Sequence, residues 1–250
     1  MGKVGSSAIH ATVAAELDRP SIQCHRVTKA GLRASDEWHR RHGTGTKANV
    51  AGPSLHWLFA KARDGRKTDI ICGVRDPIAR DVSAAFQNGQ RFGLFDVERP
   101  TLSKGDIESI QSYIIKFRES TLSTETWFDN ELKPATGIDV WESSFDDAKG
   151  YQTYENDRCR VLLLRFENLQ SIASEAFEAF FSVPGVTLQE RNVGTQKKYS
   201  TLYRQFKEEA KFPSSVLDSA YSSRYSQHFY TPTEIAGFRS QWFDATLRDT

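Results

Sequence analysis

The stretch "CRVLLLRF" at 159–166 limits how this chain can fold more than any other, because it is almost unbroken in its apolar character. Runs of this kind are typical of β-strands that are covered on both faces, as in parallel sheets packed between helices. Two further runs, "SIQCHRV" at 21–27 and "TDIICGV" at 68–74, predict two more strands. Strands that alternate with helices indicate an α/β fold.

Helical patterns lie between and after these runs. Apolar residues at a spacing of four follow Ser6 and Ser7, either of which can cap a helix. Asp76 and Pro77 begin a second helix, and a third is predicted over about 104–123. We therefore predict one domain over residues 1–250, with a parallel sheet flanked by helices, an exposed loop at 33–53 and a helical C-terminal part at 190–250.

The charge balance excludes several classes of partner. The chain has 33 Lys plus Arg against 32 Asp plus Glu, so it lacks the global positive field that draws proteins onto nucleic acids or acidic membranes. No apolar run approaches the roughly 20 residues of a transmembrane helix. Three cysteines sit in apolar runs without metal-ligand spacing, which predicts reduced core thiols and a cytoplasmic protein. Any anion must be bound by a local group of cations.

The first candidate site is the opening stretch "GKVGSS" at 2–7. A glycine-containing turn that leads into a helix presents free backbone N–H groups, and the helix dipole favours an anion there by roughly 0.3–1 kcal/mol. Lys3 adds a positive charge, and Ser6 and Ser7 add hydroxyl donors. The stretch predicts a phosphate-type anion site, although the same residues also suit an ordinary capped helix start. It differs from GxxxxGK[ST], in which the lysine follows the second glycine.

The second candidate site is the turn "VRDPIARDVS" at 74–83, where a buried strand gives way to a helix. Arg75 leaves the strand end, and Ser83 lies eight residues later, roughly 10 Å up the helix axis. An arginine at a strand end is more often a surface residue, and this is the alternative for Arg75 taken alone. Ligands of parallel sheets collect beyond the carboxyl ends of the strands, however, so we expect the two turns to form one anion site.

Together, "GKVGSS" and "VRDPIARDVS" resemble the two nucleotide-binding elements of P-loop sulfotransferases that use 3′-phosphoadenosine 5′-phosphosulfate (PAPS). Three further segments resemble a bacterial group labelled putative capsular polysaccharide synthesis proteins: "WFDNELKPATGIDVW", "VLLLRFENL" and "NVGTQKKYSTLYRQF". The resemblance implies the same parallel α/β fold. It also implies that the 5′-phosphosulfate is held by Lys3, Gly5, Ser6 and Ser7, and the 3′-phosphate by Arg75 and Ser83.

The sulfotransferase resemblance also implies a central first strand ahead of the phosphosulfate loop. Only Met1 and Gly2 precede Lys3 in this sequence. We therefore expect either that the start lies further upstream or that the first central strand is missing. Neighbouring backbone groups left without a partner would each cost about 1–3 kcal/mol if buried.

Sulfuryl transfer requires charge stabilisation on the leaving nucleotide, which the resemblance assigns to Lys3, and a general base for the acceptor hydroxyl. His25 and His56 both lie between the two turns, where related carbohydrate sulfotransferases carry a catalytic residue. Both are therefore candidate bases. A lone histidine can equally be a structural residue.

Two other groups are candidates for binding. In "WFDNEL", Trp127, Asp129 and Glu131 could line an acceptor cleft, because an aromatic ring beside carboxylates suits a sugar. Lys197 and Lys198 precede a predicted helix and are expected to close over the nucleotide, as a late basic loop does in relatives. The alternatives are a buried tryptophan with solvated acids, and a pair of solvated lysines.

The sequence thus predicts a PAPS-dependent sulfotransferase that acts, without a metal, on a hydroxyl of a carbohydrate or glycoconjugate. One alternative is a non-catalytic protein of capsule or polysaccharide assembly on the same fold. A P-loop kinase is a further alternative, and the absent GK[ST] order argues against it. The acceptor and the oligomeric state are not predicted.

Overall fold

The apolar run at 159–166 supplies the middle strand of a three-stranded sheet. The computed structural model describes residues 2–17, 19, 21–41, 67–189 and 197–244. Within them the strands are β1 (Thr68–Val74), β2 (Tyr151–Glu155) and β3 (Cys159–Arg165), in the order β1-β3-β2. β3 pairs in parallel with β1 and antiparallel with β2.

Helices precede, separate and follow these strands, and none of those described is long and apolar enough to cross a bilayer. A π-helical turn, Phe128–Leu132, runs directly into the short helix Lys133–Thr136. Numbered in chain order, the described helices are α1 (Ser6–Glu16), α2 (Lys29–Arg41), α3 (Pro77–Asn88), α4 (Lys104–Arg118), α5 (Lys133–Thr136), α6 (Leu169–Phe181), α7 (Ser200–Glu209), α8 (Ser214–Tyr221), α9 (Arg224–Phe229) and α10 (Pro232–Trp242).

Both faces of the sheet are buried, because successive side chains of a strand point to opposite sides. Val161 and Leu163 of β3, with Val74 of β1, pack against the π-helical turn and α9. Leu162 and Leu164 pack against α1 and α6 on the other face. The predicted covering of the sheet by helices on both faces is therefore confirmed.

A separate hydrophobic core joins α3 and α4 to the C-terminal helices α7, α8 and α10. Phe86 of α3 lies at its centre, with ring centroids 5.1 Å from Tyr203 and 5.4 Å from Phe206. The helical C-terminal part is confirmed within 197–244. This core fixes α3, the helix that follows the Arg75 turn, against the end of the chain.

The predicted strand at 21–27 is wrong, because this segment is irregular and is held by side chains rather than by a strand ladder. The carboxylate of Glu131 accepts hydrogen bonds from the backbone N–H groups of Val27 at 2.7 Å and Thr28 at 2.9 Å. The carbonyl of His25 accepts one from Trp127 Nε1 at 2.9 Å. The apolar pattern predicts that the backbone groups of this segment pair with a neighbouring strand. In the structure, side chains take that place for these three backbone groups.

The sheet is also mixed rather than wholly parallel. β2 is an antiparallel edge strand, and its sequence "YQTYE" lacks the continuous apolar character that identified the other two. No strand precedes β1 within the described residues, and the two alternatives for the first central strand, an upstream start or a missing strand, stay expectations.

Two predicted boundaries need correction. Residues 33–41 of the predicted exposed loop belong to α2, whereas 42–53 lie outside the described residues. The helix predicted over 104–123 ends at Arg118, where Glu119 is the C-cap.

Replacing Glu131 by alanine should destabilise the fold by about 3–5 kcal/mol, because it removes a fully buried carboxylate that faces Arg26 at 3.6 Å. It also leaves the N–H groups of Val27 and Thr28 without their acceptor. Urea unfolding measures the free energy directly. The matched control Glu37→Ala removes an exposed pair with Arg41 on α2 and should cost about 0.5 kcal/mol or less; equal losses for the two variants would contradict the assignment.

Candidate functional site

The first predicted turn is a left-handed bend that leads into a helix without a side-chain cap. Lys3 has a φ of 69° and Gly5 a φ of 80°. Gly5 is the N-cap of α1, and no described side chain caps it. A Cβ at Gly5 would lie 2.5 Å from a methyl group of Leu169, so this bend requires glycine. The first N–H groups of α1 are therefore left for an anion.

The predicted capping role of Ser6 and Ser7 is wrong, because both residues lie inside the first turn of α1. Their hydroxyl oxygens accept hydrogen bonds from Gln23 Nε2, at 2.8 Å for Ser6 and 3.4 Å for Ser7. A hydroxyl that accepts such a bond retains its own proton for donation. Gln23 thus orients both serines while leaving them able to donate to a ligand.

The two predicted turns are in direct contact. Arg75, at the end of β1, donates from its guanidinium to the carbonyl of Lys3 at 3.1 Å. Arg80, one turn into α3, donates from Nε to the carbonyl of Gly2 at 3.1 Å. The guanidinium of Arg75 also lies 4.3 Å above the ring centroid of Phe166. Two arginines therefore fix the backbone of the N-terminal turn.

Four cations surround this contact: Lys3, Arg75, Arg80 and Lys197. Burial, followed by the charges of Lys197, Arg75 and Arg80, lowers the pKa of Lys3 from 10.5 to about 7. Arg80 has a counterion in Asp81, at 2.7 Å. Within the described residues, no carboxylate lies within 4.0 Å of the other three. A bound anion would relieve their mutual repulsion.

The backbone of the Arg75 turn is held by the C-terminal helices. The hydroxyl of Tyr225, a residue only 1% exposed, accepts a hydrogen bond from the N–H of Arg75 and donates one to its carbonyl, both at 3.0 Å. Glu167, just after β3, accepts from the N–H of Asp76 at 2.7 Å and from the hydroxyl of Tyr230 at 3.1 Å. The guanidinium thus projects from a fixed main chain.

Asp76 completes this turn from within. Its carboxylate accepts from the N–H of Ile78 and from the hydroxyl of Tyr221, both at 3.0 Å, and so caps α3. Burial is the main cause that raises the pKa of Asp76, to about 6, and the nearby charge of Glu167 acts in the same direction. Acidification below this value would remove the charge from the cap.

A cavity of about 380 Å³ adjoins the cation cluster. Gly2 and Arg80 line the cavity and also contact the N-terminal turn, so the two regions meet at these residues. The remaining walls come from the segment before α2, from α2, α3 and α4, and from the segments that follow α3 and α4. The cation cluster and the cavity together form the candidate site.

Residues 86–231, more than half of the chain, match the model of the family described as putative capsular polysaccharide synthesis protein. The chain belongs to this capsular polysaccharide synthesis family. The match includes Glu167 and Tyr225, which hold the Arg75 turn, and begins after Arg75 itself. No curated protein and no solved structure matches the chain.

The structure places the two histidines and the late lysines differently. His25 lies beside the N-terminal turn, since a Cβ at Gly2 would be 3.5 Å from its ring, and it lines the cavity. His56 lies outside the described residues. Lys197 is close enough to Lys3 to lower its pKa, whereas Lys198 lies 3.8 Å from Glu98 in an exposed ion pair.

Ser83 lies on α3 and is half-buried. Ser83 and Ala84 project from the helix about 100° apart, and only Ala84 lines the cavity. Ser83 therefore lies on a different side of α3 from the residues that line the cavity.

The predicted acceptor cleft in "WFDNEL" is not formed as one surface. Trp127 is buried and lines the cavity, Asp129 is exposed and accepts from Trp141 Nε1 at 2.9 Å, and Glu131 is completely buried. The π-helical turn points the three side chains in different directions. Glu131 binds the backbone at 27–28 instead of facing a ligand.

Sequence reasoning missed Arg80 and Tyr225. Arg80 could have been found, because "RDPIAR" places a second arginine one helical turn beyond the strand end that carries Arg75. Tyr225 could not, because it lies 150 residues from Arg75 and no spacing connects them. The described residues contain no group of three or more His, Cys, Asp or Glu arranged to hold a metal ion.

Sulfate, which keeps two charges across neutral pH, should bind more tightly at pH 6 than at pH 8, because Lys3 with a pKa of about 7 loses its proton over this range. At pH 7 binding should take up about half a proton per sulfate. Calorimetry in two buffers of different ionisation enthalpy measures this uptake. The proton uptake should disappear in Lys3→Gln and persist in Lys198→Gln. Equal sulfate affinity at pH 6 and pH 8 would contradict a role for Lys3 in binding the anion.

Tyr225→Phe should loosen the Arg75 turn, because two buried backbone groups lose their partner at a cost of about 1–3 kcal/mol each. Sulfate affinity and the unfolding free energy should both fall. The matched control is Tyr154→Phe, since the buried hydroxyl of Tyr154 has no hydrogen-bond partner among the described residues. An equal response of the two variants in calorimetry and urea unfolding would rule out that the Tyr225 hydroxyl holds the Arg75 backbone in place.

Proposed function

We propose that this protein transfers the sulfuryl group of PAPS to a hydroxyl of a carbohydrate or glycoconjugate. The observation that carries the proposal is the contact of two turns, joined by the hydrogen bond from Arg75 to the Lys3 carbonyl, beside a group of four cations of which only Arg80 has a close carboxylate among the described residues. The resemblance of these two turns to sulfotransferase elements supports the donor. The description of the family supports a polysaccharide acceptor.

The residues at the turns fit a nucleotide that carries anionic groups at both its 5′ and 3′ positions. The uncapped start of α1, Lys3 and the hydroxyls of Ser6 and Ser7 would hold the 5′-phosphosulfate. Arg75 would hold the 3′-phosphate with Ser83, and Lys197 would contribute charge from the C-terminal side. When bound, PAPS supplies an activated sulfuryl group on a nucleotide leaving group.

The chemistry of the chain's own residues would be largely positioning and charge stabilisation. Lys3, only partly protonated at neutral pH, takes up a proton as anionic charge approaches. Its low pKa makes the charge responsive to the ligand. Tyr225 holds the backbone of Arg75, and the guanidinium itself donates to the Lys3 carbonyl and lies over the Phe166 ring, so little reorganisation would accompany binding.

The acceptor hydroxyl needs a base, a role that typically contributes about 10²–10⁴ in rate. His25 lies beside Gly2 at the junction of the cation cluster and the cavity. We propose His25 for this role among the described residues, with His56 as the second candidate from the sequence. Substituting His25 by glutamine should then lower turnover while nucleotide affinity stays unchanged.

The decisive experiment is calorimetry with 3′-phosphoadenosine 5′-phosphate and, in parallel, adenosine 5′-phosphate. The first nucleotide should bind more tightly, because only it carries the 3′-phosphate. Arg75→Ala should weaken its binding about 10- to 150-fold, the equivalent of a charge-assisted hydrogen bond. The control Arg99→Ala, which alters an exposed arginine near Asp96 and Asp106, should leave affinity unchanged.

Three results would contradict the proposal. Equal binding of the two nucleotides would remove the 3′-phosphate site. Glycan binding without any nucleotide binding would favour a non-catalytic role in polysaccharide assembly. Magnesium-dependent binding of ATP in preference to the 3′-phosphorylated nucleotide would favour a kinase.

A further inference from the structure

The side chain of Lys3 ends in an amine that has neither a counterion nor a hydrogen-bond acceptor. Within the described residues its Nζ makes no hydrogen bond, and no carboxylate lies within 4.0 Å of it. A charged ammonium has three N–H donors, which need water or protein acceptors. Lys3 is half-buried, so only part of its surface meets water. These surroundings disfavour the protonated form of the amine.

The cations around Lys3 act in the same direction as burial. Burial is the main cause that lowers the pKa of Lys3 to about 7, and Lys197, Arg75 and Arg80 lower it further. Roughly half of the amine is then uncharged at pH 7, against roughly 0.04% for a lysine with an ordinary pKa. Desolvation and neighbouring cations are the means by which proteins make a lysine nucleophilic.

The backbone that carries this amine is fixed. The carbonyl of Lys3 accepts a hydrogen bond from Arg75 and the carbonyl of Gly2 accepts one from Arg80, both at 3.1 Å. The charges of these two arginines, with that of Lys197, act on the same place. A small anion that these cations attract is therefore held beside the amine.

The cations also decide which kind of electrophile suits the site. A neutral reagent gains nothing from them. An acyl phosphate carries a dianionic phosphate, and its carbonyl carbon is bonded directly to a phosphate oxygen. Binding of the phosphate by Arg75 and Lys197 would therefore keep the carbonyl carbon close to the amine of Lys3.

We infer that Lys3 is a site of covalent acylation by small acyl phosphates. The lone pair of Nζ attacks the carbonyl carbon, and the bond between that carbon and the phosphate oxygen breaks. The phosphate leaves with the bonding electrons and takes up the proton that the nitrogen loses, so the products are an amide and inorganic phosphate.

Acylation removes the positive charge of Lys3 and weakens the anion site. A nearby supply of acyl phosphate would thus turn anion binding down. That the excluded anion is the nucleotide rests on the proposed function, whereas the modification of Lys3 does not.

Acetyl phosphate at pH 7, followed by peptide mass spectrometry of the whole chain, tests the inference. Lys3 should be acetylated at least about tenfold faster than Lys104, whose side chain is 92% exposed, because more of its amine is uncharged. The two rates should become similar in the urea-unfolded chain, where the cation cluster no longer exists. A rate at Lys3 no higher than at Lys104 in the folded protein would overturn the inference.

Recruitment of the reagent by the cations has its own readout. The rate at Lys3 should saturate with acetyl phosphate, and sulfate should compete far better than chloride of equal ionic strength. Arg75→Ala should lower this rate about tenfold or more, and neutral N-hydroxysuccinimidyl acetate should still favour Lys3 over Lys104. The control Arg99→Ala alters an exposed arginine and should change neither rate. A linear rate that sulfate does not affect would overturn the acyl phosphate as the electrophile.

Calorimetry with 3′-phosphoadenosine 5′-phosphate separates this inference from the proposed function. Acetylated protein and Lys3→Gln should both bind the nucleotide about tenfold more weakly or worse, whereas Lys104→Gln should bind it as wild type does. Unchanged affinity after acetylation of Lys3 would overturn its effect on the site. Selective acetylation of Lys3 in a protein that does not bind the nucleotide would sustain the modification site and end the sulfotransferase proposal.

Discussion

The hydrogen bond from the guanidinium of Arg75 to the carbonyl of Lys3 is the contact on which the site depends. It joins positions 72 residues apart and brings the start of α1 to the carboxyl end of β1. A parallel strand pair presents its carboxyl ends at one edge, so Arg75 and the residues after β3 arrive there together. Tyr225 and Glu167 then fix the backbone from which the guanidinium extends.

Charge is distributed unequally around this contact. On the α4 side, buried Asp81 lies between Arg80 at 2.7 Å and Arg118 at 3.1 Å, and Glu125 lies 2.8 Å from Arg118. On the other side, burial and then the neighbouring cations lower the pKa of Lys3, because both disfavour its charged form. In the first arrangement each of these charges has a close counterion. The second is unfavourable without an anion, and functional sites often have such a cost in stability.

Parts of this arrangement could be predicted because they follow from local pattern. The apolar character of β1 and β3 identifies strands covered on both faces, and the strand-to-helix change at Asp76 and Pro77 locates the turn that carries Arg75. Other parts depend on contacts over long separations. Residues 21–27 have a strand-like sequence, but the backbone N–H groups of Val27 and Thr28 donate to the carboxylate of Glu131. That residue lies about a hundred positions later in the sequence.

The same separation explains why Glu131 was misassigned. Beside Trp127 and Asp129 in the sequence it has the composition of an exposed sugar-binding surface, but residues 26–28 and the start of α2 contact its carboxylate and it is completely buried. Tyr225 likewise has no local signal, because its role depends on the docking of the C-terminal helices. Local sequence therefore predicts the buried strands β1 and β3, whereas the edge strand β2, the irregular segment 21–27 and the partners of buried polar groups depend on tertiary packing.

The attachment of α2 has a consequence for how relatives could diverge. A Cβ at Gly31 would fall 1.6 Å from a carboxylate oxygen of Glu131, so the start of this helix packs directly against the buried carboxylate. Trp38 lies two turns later on the same helix and lines the cavity. Position 38 can therefore vary in size between homologous chains, and so change the shape of the cavity, without disturbing the contact of α2 with Glu131.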